Sequence, residues 1–229
     1  MTIPSPRGKV TTPARPLSMF NGVMLSDGTI SKPSMRSRCA FSISQKGVVH
    51  VDWLEGIRQG LILLGVDMDV PKVGHRSISI PRGNKRILFS NSYEYSYLKS
   101  RTSEFIDKQR TIWYTDVGLK IVPRELELDP ECLSNFFMGD GSTARCRNSP
   151  RTVQTCLYTQ SYDRDSIELI EGKLDKLGIH TGRATDKDCR PPCSGIVITV
   201  MQDSVDTLMG LVEPFIIPSF MYKLKRKTI

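Results

Sequence analysis

Two aspartates, Asp27 and Asp140, close two copies of one short phrase, and their carboxylates are hard oxygen donors. Residues Phe20 to Gly28 read FNGVMLSDG, and residues Leu133 to Gly141 read LSNFFMGDG. Each is an apolar, helix-compatible stretch that ends in Asp-Gly. An Asp in the last turn of a helix meets the negative end of the macrodipole, which disfavours it by about 0.3–1 kcal/mol. Local logic asks for Lys or Arg there. A rule broken at the same place in two copies marks the pair as functional. Gly28 and Gly141 are expected in the left-handed conformation that closes many helices.

Small residues say how the two aspartates meet. Ser18, Gly22 and Ser26 recur every four positions, as do Glu131, Asn135 and Gly139. That spacing puts each set on one helix face. If Gly22 and Ser26 face Asn135 and Gly139, the helices end side by side and bring the carboxylates within a few ångströms. Two such groups repel unless a cation neutralises them. Their hardness suits Mg²⁺, with Mn²⁺ or Ca²⁺ as substitutes. The backbone around Ser26 and Gly139 would complete the metal site.

The elements that position this pair come in two similar halves. From Asp27 to Gly65 and from Asp140 to Gly178 the separation is 38 in both cases. Each of these glycines closes an amphipathic helix, with Asp52 and Asp163 as the expected caps. Before each helix lies a basic, hydroxyl-rich hairpin of alternating polarity. The first contains Lys32, Arg36, Arg38 and Ser42, and the second Arg145, Arg147, Arg151, Gln154 and Tyr158. Period two with one polar face reads as half-buried strands. Two further strands follow each helix: residues 76–80 and 86–90, with Arg76, Arg82, Lys85 and Arg86, then residues 182–186 and 195–200, with Arg183 and Lys187. A last helix ends each half, over residues 93–113 and 204–215.

The expected fold is therefore α+β, a pseudo-two-fold pair of αββαββα subdomains. Each is a four-stranded antiparallel sheet backed by helices, and together they form a saddle. The boundaries are a basic arm at 1–16, then subdomains at 17–118 and 119–229. The open faces suit double-stranded DNA: Arg and Lys neutralise phosphates, Gln reads adenine edges, and a β-ribbon fits the major groove. The carboxylate pair would lie over the central minor groove. Solvated strand faces are the bland alternative.

Bulk properties bound the partners. The chain has 229 residues, a net charge of +8 and 39% hydrophobic content. The excess charge favours a polyanion, through non-specific attraction alone. No apolar run is long enough to cross a bilayer. Six cysteines without a secretory leader read as reduced thiols. A four-thiolate zinc site from Cys146, Cys156, Cys189 and Cys193 lacks the usual short paired spacings.

The two phrases resemble the LAGLIDADG motif of homing endonucleases. LSNFFMGDGS is similar to the family's LAYWFMDDG variant, LYTQSY to its NTQSF segment, LVEPFIIPSFMYKL to its IKPYIHPSMMYKL ending, and GLKIVP to its KKIP segment. These cover residues 119–224. In the first half MFNGVMLSDGTI, the basic strands and Gln45 carry the likeness. Gly139 replaces an acid often found before the catalytic one. The pattern is most similar to single-chain, two-motif members encoded in organelle introns.

The resemblance implies a monomeric, site-specific DNA endonuclease with a long target, cutting both strands across the minor groove and leaving short 3′ overhangs. Asp27 and Asp140 match the metal-binding acids, Lys120 and Lys223 basic residues near the scissile phosphates, and Gln45 and Gln160 polar residues that order the site. It also implies an organellar home, mitochondrion or chloroplast, with a nuclear or other intracellular one as the alternative. Arg outnumbers Lys, unlike proteins of very AT-rich organelle genomes. The alternative function is an RNA maturase that binds its host intron without cleaving DNA.

Overall fold

The structure, a computed structural model, describes residues 15–224 except 33, 35, 36, 83, 84, 147, 148 and 186–193, and gives no side chains for 76–92, 145, 146 and 149–152. Helix α1 spans Pro16–Leu25 and α4 spans Pro130–Asp140. Pro opens both, which suits a first turn whose N–H groups have no helical partner. Asp129 caps α4 by accepting from Cys132 N at 2.9 Å. Neither helix has a solvated stripe: α4 buries a continuous run from Glu131 to Met138. A helix buried all round belongs to the centre of a core, and α1 and α4 pack on each other there.

Strands β1 (Thr29–Ser31), β2 (Ala40–Lys46), β3 (Lys72–Arg82) and β4 (Lys85–Lys99) form one sheet in the order β1-β2-β4-β3. Strands β5 (Gly141–Cys146), β6 (Ser149–Leu157), β7 (Thr181–Thr185) and β8 (Ile196–Val200) form the other, in the matching order β5-β6-β8-β7. All pairings are antiparallel. Phe41, Ile43 and Leu98 from the first sheet and Leu157, Ile198 and Val200 from the second enter one apolar core with α1 and α4. The other helices, α2 (Val51–Leu63), α3 (Glu104–Trp113), α5 (Arg164–Lys176) and α6 (Val205–Val212), cover the same side of the sheets. The expected architecture stands.

Four local expectations do not. The helix expected over 93–113 is two elements, because β4 runs on to Lys99 and α3 begins only at Glu104. The helix expected over 204–215 is α6 flanked by two 3₁₀ turns. Asp163 caps α5, accepting from Ser166 N at 2.8 Å. Asp52 does not cap α2: the helix starts two residues earlier than that cap requires, at Val51 after His50, and Asp52 lies in its first turn, accepting from Ser219 Oγ at 2.8 Å. Finally, Gly65 and Gly178 have φ of +77° and +73°, but Gly28 and Gly141 do not have positive φ. What fixes those two is space. A Cβ on Gly28 would stand 2.7 Å from the Val23 carbonyl, and one on Gly141 would overlap the Phe137 ring.

Candidate active site

The seam between α1 and α4 closes as the small-residue stripes require. A Cβ on Gly22 would overlap the Cys132 carbonyl and stand 2.7 Å from Asn135 Cβ. One on Gly139 would overlap Ser26 and stand 3.2 Å from a carboxylate oxygen of Asp27. Backbones approach this closely only where side chains are absent. At the far end of the seam Ser18 donates to Asp129, and Arg15 N donates to Glu131 Oε2 at 2.8 Å. Trp53 Nε1 ties in Asn135 Oδ1 at 3.0 Å.

At the near end the two carboxylates converge. Asp140 has its pKa pushed up to about 7, first by burial and then by the charge of Asp27. Asp27 is also raised, by burial against the lowering hydrogen bond from Gln45. Its tip still reaches solvent. Gln45 Nε2 donates to Asp27 Oδ2 at 2.6 Å. Burial raises both carboxylates, and the nearby charge of Asp27 raises Asp140 further.

The lysines answer the helix-end problem. Lys120 Nζ donates to the carbonyls of Ser26 at 3.1 Å and Gly28 at 2.8 Å. Lys223 Nζ donates to Phe137, Met138 and Gly139 at 3.2, 2.6 and 3.1 Å. Each ammonium therefore supplies, from about 90 residues away in sequence, the cation that the last turn of its helix lacks. Burial lowers both lysine pKa values to about 8, against the attraction of Asp140 and Asp27. Tyr162 Oη completes the clamp on α1, donating to Met24 and Leu25 carbonyls at 3.1 Å each.

Gln160 lies in the turn after β6, with its carbonyl accepting from Gly195 N at 3.1 Å. It is 20 positions after Asp140, whereas Gln45 is 18 after Asp27. The side-chain hydrogen bond that Gln45 makes to Asp27 is not among the influences on Asp140.

The expected DNA-contacting residues divide. Ser42 is on the open face of the first sheet, because its neighbours Phe41 and Ile43 are buried. Gln154 and Tyr158 alternate with buried Thr155 and Leu157 on the open face of the second, where Ser142 Oγ bonds Tyr158 Oη at 3.2 Å. Lys32 is exposed just past β1. Arg38 is held by Asp107 of α3 at 2.8 Å. Arg183 corrects the expectation: it pairs in register with Ile198, whose side chain is buried, so it belongs to the helix side. There Glu171 of α5 holds it at 2.9 and 2.5 Å.

The backbones of Arg76, Arg82, Lys85 and Arg86 lie on β3 and β4, and those of Arg145 and Arg151 on β5 and β6. Their side chains, and all of Arg36, Arg147, Lys187, Cys189, Cys193 and the arm to residue 14, lie outside what is described. Among the described residues no cluster of three His, Cys, Asp or Glu could hold a metal. The sequence reading missed Tyr93, Tyr95 and Tyr97, which alternate along β4. Strict period two in YEYSY was the available signal.

The sequence pattern of the LAGLIDADG DNA endonuclease family matches residues 17–208. The fold is similar to that of the homing endonuclease I-WcaI bound to its DNA recognition sequence. There the TM-score is 0.73 and the identity 18%, over 98% of this chain and 96% of that one. It is also similar to the LAGLIDADG homing endonuclease I-GzeII in complex with its DNA target, at TM-score 0.51 and 14% identity over 93% and 87% of the two chains. At these identities the likeness is one of fold. The uncharacterized protein MJ1098 of Methanocaldococcus jannaschii is 27% identical over 128 residues, which are 56% of this chain and 47% of that protein. The chain thus spans about half the length of the curated relative it matches.

Proposed function

The chain belongs to the LAGLIDADG DNA endonuclease family, and on that premise we propose that it is a site-specific double-strand endonuclease whose acids are Asp27 and Asp140. One observation carries the reading. Two carboxylates from equivalent helix ends converge between two antiparallel sheets, both raised in pKa by burial, and the charge of Asp27 adds to the rise at Asp140. Duplex DNA offers two scissile phosphates, and one acid lies beside each sheet.

The donor set fits a divalent cation. The lysines spend their hydrogen bonds on carbonyls, and Asp27 accepts from a neutral amide, that of Gln45. Mg²⁺ is the proposed ion, with Mn²⁺ as a substitute and Ca²⁺ supporting binding without turnover. A bound divalent ion would supply charge stabilisation at the scissile phosphate and a water of lowered pKa. The chain's own residues do the rest. Gln45 fixes the rotamer of Asp27, Lys120 and Lys223 hold the two helix ends, and their buried ammonium groups add positive potential where negative charge grows. Ser26 and Gly139, the other expected metal-site residues, have carbonyls among those that accept from Lys120 and Lys223.

The proposal includes a monomer acting on one duplex, short 3′ overhangs and an organellar home. In a plasmid-cleavage assay on a target selected from a random library, Asp27→Asn and Asp140→Asn should each abolish double-strand cutting and leave binding in calcium intact. Normal cutting by either single variant would sink the assignment.

A further inference from the structure

The open face of the first sheet carries an ordered set of side chains that the cleavage chemistry leaves unused. On β4, Ser96 and Leu98 are buried, so alternation sends Tyr93, Tyr95, Tyr97 and Lys99 to the helix-free side. Pairing with β2 and β3 lays them out as rungs. Lys99 lies opposite Ser42, Tyr97 between Ser44 and Lys72, Tyr95 between Lys46 and Gly74, and Tyr93 opposite Arg76. The rings are fixed in place. A Cβ on Gly74 would stand 2.7 Å from the Tyr95 ring, so only glycine lets that ring lie across the neighbouring strand. Tyr95 and Tyr97 have ring centroids 5.5 Å apart, and the Lys46 ammonium stands 5.6 Å from the Tyr93 ring.

The inner rungs are continuous with the carboxylate seam. A cavity of about 180 Å³ is lined by Asp27, Ser42, Ser44, Tyr95, Tyr97 and Lys99. Successive rungs are two residues apart, ~6.6 Å along the strand, close to two steps of DNA at ~3.4 Å each. Phenol rings carry no bidentate pattern that sorts guanine from adenine. What they offer is apolar contact, and the apolar group in the major groove is the thymine methyl.

Resting on the nuclease reading above, we propose that Tyr97, Tyr95 and Tyr93 are specificity residues that read thymine methyls at successive positions of the half-site under the first sheet. The order runs outward from the cut beside Asp27, while Lys99 holds a phosphate; Lys72 is held by Asp69 at 2.9 Å. The described open face of the second sheet carries one tyrosine, Tyr158, beside Gln154 instead of a row of them, so the two half-sites are read differently.

The test uses the full chain and a randomised duplex library, with recovery of bound duplexes in calcium and of cut duplexes in magnesium. Wild type should enrich thymine at two or three positions of one half, spaced by about two base pairs. Tyr97→Ala and Tyr95→Ala should each lose about tenfold discrimination at one position, that of Tyr97 nearer the cut. Lys99→Ala should weaken all sequences alike and lower the salt slope by about 1. Replacing thymine by uracil at those positions should reproduce the alanine losses without altering the protein, which covers any variant that fails to fold. Unchanged profiles, effects in the other half, or indifference to uracil would overturn the proposal and leave the nuclease reading standing. A wild-type chain that neither enriches nor cuts any sequence would overturn both.

Discussion

Asp27 and Asp140 would be poor residues at a solvated helix end, and the fold repairs the fault from a distance. The repair is electrostatic but not an ion pair: Lys120 and Lys223 bind carbonyls and leave the carboxylates to repel each other. The repulsion has a testable sign. Asp140 binds its proton more tightly in the folded chain, at about 7 against an ordinary 3.8. Stability of the metal-free protein from this group is therefore present below pH 3.8 and lost as pH rises to about 7. Lys120 and Lys223, lowered to about 8 from 10.5, act only above that window. Asp140→Asn should accordingly raise the thermal midpoint in EDTA at pH 7.5, by about 2 kcal/mol, roughly 4–8 °C, with no gain at pH 4. Equal midpoints at pH 7.5 would show that the pair is solvated enough to escape its own repulsion. The two acids were legible because each breaks a local rule. The clamps were not, because a lysine some 90 residues away from a carbonyl leaves no mark in local sequence.

Elements were legible where periodicity was unmixed. The α1 and α4 stripes, the hairpins and the cap Asp163 follow from spacing alone. Errors fell where two elements abut: Tyr93 to Trp113 holds aromatics that suit strand and helix alike, and only residues 100–103 separate β4 from α3. Two glycines were misread for a related reason. Sequence marks Gly28 and Gly141 as permissive, yet the need there is room rather than a dihedral, as the stripe spacing says for Gly22 and Gly139. Gly22→Ala should gain up to about 1 kcal/mol of helix propensity, but its methyl would meet the Cys132 backbone, which cannot rotate away. Overpacking of this kind costs about 1–3 kcal/mol, so a net fall in midpoint is expected. Gly172→Ala on α5 has nothing within 4 Å of the new methyl and should raise the midpoint by about 0.5–1 kcal/mol. Calorimetry on both variants separates the explanations: if the two behave alike, propensity alone governs the seam.

At the scale of the whole molecule, two sheets share one core and one seam, so on the proposed function a single chain would present both of its open faces to one duplex. The apolar cluster runs unbroken from Phe41 and Leu98 through α1 and α4 to Ile198 and Phe220. Because the halves differ in side chains, the target has no reason to be palindromic. On that proposal the net charge of +8 would act through phosphates spread along both faces. Each phosphate neutralised contributes a slope of about −0.9 in log K against log salt. Contacts from two sheets should give a slope of about −5 to −9, and sedimentation of the complex should show one chain per duplex. A slope shallower than about −2 would mean that the basic strands do not track the backbone. Two chains per duplex would mean that the seam does not place both acids over one site. Either result would require a different arrangement of the sheets on DNA, because sheets that flank a shared carboxylate pair must load the backbone on both sides of the cut at once.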